Sequence, residues 1–231
     1  MSARQKMINM MYLVLMALLA LNVSREILKA FHLIEVSFNK SQSNIDAKNK
    51  NVMAAFREAS ENRPEAVPFY QRAVKAQKIA DDFVAYIEKI KSDLIKRTEG
   101  RTKPENGERI EDMELAEADN IEKHANYFFK DPKDARAREL QERVNRTRKE
   151  LIALLKDTLN GVKVEPALIN DIETRSDLRA ENEKGKTQTW ASLYFEASPL
   201  AGVITMLTKI QNDTKNTEDA VINALSQGID A

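Results

Sequence analysis

From Ser2 to Arg63 the chain contains neither glycine nor proline, so no residue in this stretch forces a helix to stop. Inside it, Met7 to Val23 reads MINMMYLVLMALLALNV and carries no charged side chain. Crossing roughly 30 Å of hydrocarbon takes about 20 residues at 1.5 Å each, so this run falls slightly short and polar flanks must approach the bilayer boundary. A mean hydropathy of −0.50 hides this one lipid-soluble element in a polar chain. Arg4 and Lys6 precede the run without an acid, whereas Arg25, Glu26, Lys29 and Glu35 balance beyond it. The basic side is expected to stay in the cytoplasm. A cleavable signal peptide shares the basic start and apolar middle, but Leu18 and Leu19 before Ala20, and Leu15 and Met16 before Ala17, lack the small-x-small cleavage pattern. The expected layout is a cytoplasmic N-terminus over 1–6, a membrane helix over 7–24 and an external helical domain over 25–228.

The remaining punctuation predicts an all-α, four-helix-type bundle continuing from the membrane helix. Six glycines, six prolines and a charged fraction of 31% suit long helices better than turn-rich sheets. Phe31, Phe38, Ile45 and Val52 recur at heptad spacing, with Ile27 and Ile34 as part of a companion seam, and predict one buried stripe. Ordinary bundle core explains it better than a dimer zipper, because Ser41 and Lys48 interrupt the second seam. Pro64 and Pro68 mark a corner, and Ala76, Ala80, Phe83, Ile87, Ile90 and Leu94 trace a second helix to Gly100. Ile110 to Phe129 is a weaker, acidic candidate. Asp131 and Pro132 open a helix through Leu140, Val144, Leu151, Leu155 and Leu159 to Asn160 and Gly161, with a short turn at Leu168 to Ile172. Ser198 and Pro199 open the last, through Val203, Leu207, Ile210, Val221 and Leu225 to Gly228. The expected packing of the four long helices is antiparallel. Glu181 to Thr189 reads as a surface loop, and Trp190, Leu193, Tyr194 and Phe195 as core.

Chemistry is thinly represented. Balanced charge, 36 basic against 36 acidic side chains, gives no global pull towards nucleic acid. The absence of cysteine removes disulfides, thiolate metal sites and thiol nucleophiles. His32 with Glu35, and His124 beside Glu117 and Glu122, make no ligand set, and the acidic run from Glu105 to Glu122 lacks calcium-loop geometry. That run reads as a solvated face offset by Arg136, Arg138, Arg143, Arg146 and Arg148. No catalytic residue, cofactor or metal is expected, and an enzymatic role is the weakest class.

The membrane segment carries the informative pattern. At 100° per residue, Arg4, Ile8, Met11, Leu15, Leu18 and Asn22 share one face, while Asn9 and Tyr12 lie on another. Amides on two sides suit a helix surrounded by other helices, although Asn22 could also be an interfacial end residue. An arginine drawn into hydrocarbon costs about 2.5 kcal/mol or more, relieved by a carboxylate on a neighbouring membrane helix. From the residues alone, Arg4 and Lys6 snorkelling to headgroups is the simpler account.

Ser2 to Lys40, SARQKMINMMYLVLMALLALNVSREILKAFHLIEVSFNK, closely resembles the start of the GldM family of gliding-motility proteins, called PorM in non-gliding species. RQKMINMMYLVLMALLALNVS followed by SREILKAF carries the likeness, and the later chain resembles that family's first, helical periplasmic domain. The resemblance implies a single-pass inner-membrane component of the type 9 secretion system, driven by proton motive force. It implies a homodimer whose membrane helices sit inside a ring of GldL-like subunits, with a hinge at 229–231 leading to further periplasmic β-rich domains, missing here, that reach other secretion components. It also implies that Arg4 pairs with a membrane glutamate of that ring, with Lys6, Ile8, Asn9, Met11, Tyr12, Leu15, Leu18 and Asn22 as partner contacts. The alternative is a membrane-anchored or secreted helical sensor or scaffold; a sensor needs an output domain that the residues before Met7 cannot supply.

Overall fold

The computed structural model describes residues 3–100, 115, 117–130, 135–156, 165–175, 189–196 and 198–229, apart from the side chains of residues 3, 4, 6, 16–24, 99 and 156. Every described element is helical. Helix α1 runs unbroken over Ala3–Asn62, about 90 Å at 1.5 Å per residue. A 3-10 turn at Pro64–Ala66 makes the corner, because Arg63, held extended before a proline, cannot continue the helix. Helix α2 follows over Val67–Glu99 and stops at Gly100, whose φ of 72° is the left-handed conformation that glycine adopts without penalty. Then come α3 (Lys123–Phe129), α4 (Ala135–Lys156), α5 (Pro166–Arg175), a π-helical turn at Ser192–Glu196 and α6 (Leu200–Gln227).

The four long helices are α1, α2, α4 and α6, as the punctuation predicts, but their directions differ from the expected alternation. Phe31 of α1 meets Thr205 of α6, and Lys48 meets Asp219, so α1 and α6 run parallel. Helix α4 shares that direction, since Leu140 and Leu155 sit in the same two cores as Leu207 and Leu225 respectively. Only α2 opposes them. The cause lies in the connection after α4: Ile172 packs in one core and Trp190 in the other, so the chain returns along the bundle before α6 begins.

Helix α6 is the axle of this arrangement, packed by α1, α2 and α4. It carries buried residues around most of its circumference, as expected of a helix enclosed by neighbours. One core gathers Phe83, Ile87, Phe128, Leu140, Trp190, Phe195 and Leu207 near its N-terminus. There the Phe128 and Phe195 rings stack at 4.7 Å. The other gathers Phe56, Phe69, Leu151, Ile172, Val221 and Leu225 near its C-terminus. Gly228 closes that end tightly, because a Cβ there would lie 2.9 Å from the Phe69 ring.

Several sequence expectations need correction. Ile27 and Ile34 are exposed, 48% and 45%, so they belong to no buried seam. The covered face of α1 passes through Phe31, Glu35, Asn49, Met53 and Phe56, and Ile27 and Ile34 stand about 40–60° round the helix on the side away from Glu35. The weak candidate at Ile110 to Phe129 is helical only over Lys123–Phe129 among the described residues, because Asn120 Oδ1 accepts the N–H groups of Glu122 and Lys123 and starts the helix there. Ser198 does not cap α6; the Leu200 and Ala201 N–H groups donate instead to the carbonyls of Asn120 and Ala118. The short turn near Leu168 is a ten-residue helix opened by Pro166. Tyr194 is 38% exposed, unlike Trp190 and Phe195. Asp131, Pro132, Leu159, Asn160, Gly161 and residues 181–188 lie outside the described residues.

Candidate functional site: the projecting arm of α1 and the polar seam that holds it

Two features of α1 stand out. Along Gln5 and Met7 to Leu15 every described side chain is exposed, with Met11 at 72% and Leu13 at 73%. Ile8, Met11 and Leu15 line one flank of this arm, and Asn9 and Tyr12 lie elsewhere on its circumference, as the helical spacing predicts. Arg4, Lys6, Leu18 and Asn22 belong to the same helix, but their side chains are outside the described residues. Among the described residues no helix is long and apolar enough to cross a membrane; the second half of the uncharged run falls on side chains 16–24. A helix apolar all round is stable only when surrounded by other apolar matter, and nothing among the described residues covers the arm.

Further along, α1 is gripped by a seam of charged and polar groups that sequence reasoning missed. Lys91 of α2 is fully buried, with Nζ 3.8 Å from Glu35, 3.4 Å from Glu88 and 3.5 Å from Gln211 Oε1. Gln211 donates through Nε2 to the Val84 carbonyl at 3.1 Å, and Thr208 donates to Glu35 at 3.5 Å. One turn and more along, Lys215 of α6 meets Asp46 of α1 at 3.0 Å, Asp81 of α2 at 2.5 Å and Glu218 at 2.9 Å. Lys48 and Asp219 pair at 2.7 Å on the outside. Thr205 donates to the Phe31 carbonyl at 3.1 Å and Gln42 to the Thr208 carbonyl at 3.3 Å. Burial works against the Lys215 ammonium, but Asp81, Glu218 and Asp46 outweigh it and hold the group above its ordinary range.

The histidines have other surroundings. Glu35, the expected companion of His32, is engaged with Lys91 and Thr208. His124 is fully buried beside the Ser198 and Phe195 backbone, yet neither ring nitrogen reaches hydrogen-bond geometry, and burial pulls it below its ordinary value. Glu117 pairs with Lys123 at 2.8 Å. Among the described residues no group of three His, Cys, Asp or Glu side chains is arranged to hold a metal ion. Of the α4 arginines, Arg136 lies 4.4 Å over the Tyr127 ring, Arg143 4.6 Å over Tyr86, and Arg148 bonds Asn145 and the Glu173 carbonyl, while most of the acidic run they were expected to offset lies outside the described residues. Planar guanidinium groups stack on aromatic faces and need no carboxylate partner there.

A bundle that clamps the base of a long helix, and leaves the described side chains at the other end of that helix exposed, defines an all-helical bundle domain with a projecting arm. The family model described as the GldM N-terminal domain matches residues 26–228, and the chain belongs to the GldM family, part of the gliding-motility and type 9 secretion machinery. A comparison with curated proteins returned no match.

Proposed function

We propose that this chain is an inner-membrane component of a rotary motor driven by proton motive force, in which α1 is the shaft. The observation that carries this reading is the uncovered apolar arm, continuous through one unbroken helix with the segment held by the polar seam. The arm spans the bilayer over residues 7–24, with Arg4 and Lys6 on the cytoplasmic side and the bundle in the periplasm. The arms of two copies lie together inside a ring of GldL-like membrane subunits, which supplies the covering the arm lacks. Exposed Ile27, Leu33 and Ile34, just beyond the proposed membrane boundary, offer apolar surface to the second copy. Arg4 finds its counter-ion on a ring carboxylate, since the uncharged run holds no acid of its own.

Protonation of a ring carboxylate weakens its attraction to Arg4, and the two arms then step towards the next ionised neighbour. A twofold shaft within a ring of different symmetry cannot satisfy every contact at once, which favours stepping over a locked state. Torque passes along α1 into α2 and α6 through the seam. The test is Arg4→Ala: secretion is expected to be abolished while the membrane complex still partly assembles. Normal secretion by that variant contradicts the proposal.

A further inference from the structure

Around Lys215 the seam places three carboxylates from three helices: Asp46 of α1, Asp81 of α2 and Glu218 of α6. One ammonium cannot neutralise all three. Asp46 and Asp81 are about half-exposed and can share their charge with water, whereas the Glu218 side chain is 1% exposed. Glu218 Oε1 has no hydrogen-bond donor, and Oε2 has only the Lys215 ammonium, 2.9 Å away. The neighbouring cation Lys48 is engaged by Asp219. A buried carboxylate whose one cation is shared with two further carboxylates is an arrangement that an added proton relieves.

We propose that Glu218 is a proton-binding site in the α1–α2–α6 seam: with the proton bound, α1 is held closely, and with it released, repulsion among Glu218, Asp46 and Asp81 loosens α1 from its neighbours. The chemistry is a simple exchange with water, since the carboxylate takes a proton from hydronium and returns it as acidity falls. Asp46 and Asp81 keep Lys215 paired in either state. The device is independent of the membrane arm, because every group in it belongs to the bundle.

Burial pushes Glu218 up to about 7 from an ordinary 4.5, with Lys215 opposing and Asp81 and Asp46 reinforcing. A carboxyl raised in the folded state gives its full stabilising contribution below about 4.5 and loses it as pH climbs through about 7. The chain, with its arm in detergent, is compared with Glu218→Gln by thermal unfolding between pH 5 and 8.5. The wild-type midpoint should fall by several degrees between pH 5 and about 7 and level off above it, and the variant should show a much flatter profile. Parallel profiles would overturn the proposal. Should the variant not fold, a carbon-detected NMR titration of the wild-type Glu218 carboxyl gives the answer: an inflection near neutrality supports the site, and one in the ordinary acid range overturns it.

Discussion

The two halves of α1 invert each other. The half from Gln5 to Leu15 is largely apolar and exposed at every described side chain, whereas the half from Phe31 to Phe56 buries Glu35 and Asn49 and bonds α6 through Gln42, Asp46 and Lys48. In a water-soluble helix the apolar residues would face the core and the charges the solvent. Here the arm has apolar surface that no described residue covers, and the clamped half trades area burial for directed contacts. Apolar contacts slide at little cost, while ion pairs and hydrogen bonds fix register. That division suits a shaft free to turn at one end and seized at the other.

The two halves of α1 are most sensitive to a break at their junction. Lys29 is exposed and lies between the arm and the first contact with α6, so Lys29→Pro would remove an i→i−4 hydrogen bond and kink the helix outside the bundle. Secretion should be lost, while the thermal midpoint of the bundle stays within a few degrees of wild type; retained secretion would show that a rigid shaft is not required. Next in size is Lys215→Met, which leaves Asp46, Asp81 and Glu218 facing one another and should cost about 3–5 kcal/mol in urea unfolding. Leu207→Ala, at a fully buried site, should cost about 2–5 kcal/mol, against less than about 0.5 kcal/mol for Leu13→Ala in the arm. The smallest effect belongs to Lys48→Ala, about 0–1 kcal/mol and shrinking with added salt, because the Lys48 side chain is half-exposed in its pair with Asp219.

Much of the architecture could be read from punctuation. The empty stretch between Ser2 and Arg63 gave a single helix, and Pro64, Gly100 and Pro199 mark where neighbouring helices end or begin. Helix direction was not legible, since nothing local in residues 157–189 says that the chain must travel back along the bundle. The seam escaped for a different reason. On α6 the apolar series Val203, Leu207, Ile210 breaks off and resumes at Val221 and Leu225, yet the same spacing continues through Thr214, Thr217 and Glu218. Polar residues standing at interior positions were the available signal, and it was passed over because charge is ordinarily a mark of the surface. Ile27 and Ile34 misled in the opposite sense: apolar residues at a core spacing, left uncovered because α6 meets α1 on the neighbouring face.

The account rests on the arm lying within the bilayer, enclosed by partner helices. The chain has no cysteine, so single cysteines at Ile8, Asn9, Met11, Tyr12 and Leu15 can each carry a spin label without background. Collision with lipid-dissolved oxygen and with a water-soluble nickel complex is then measured by power saturation in membranes, with and without the ring partner. The prediction is protection from nickel in both cases, and a fall in oxygen collisions on all faces when the partner is present. High nickel accessibility along the arm, or oxygen collisions unchanged by the partner, would contradict it.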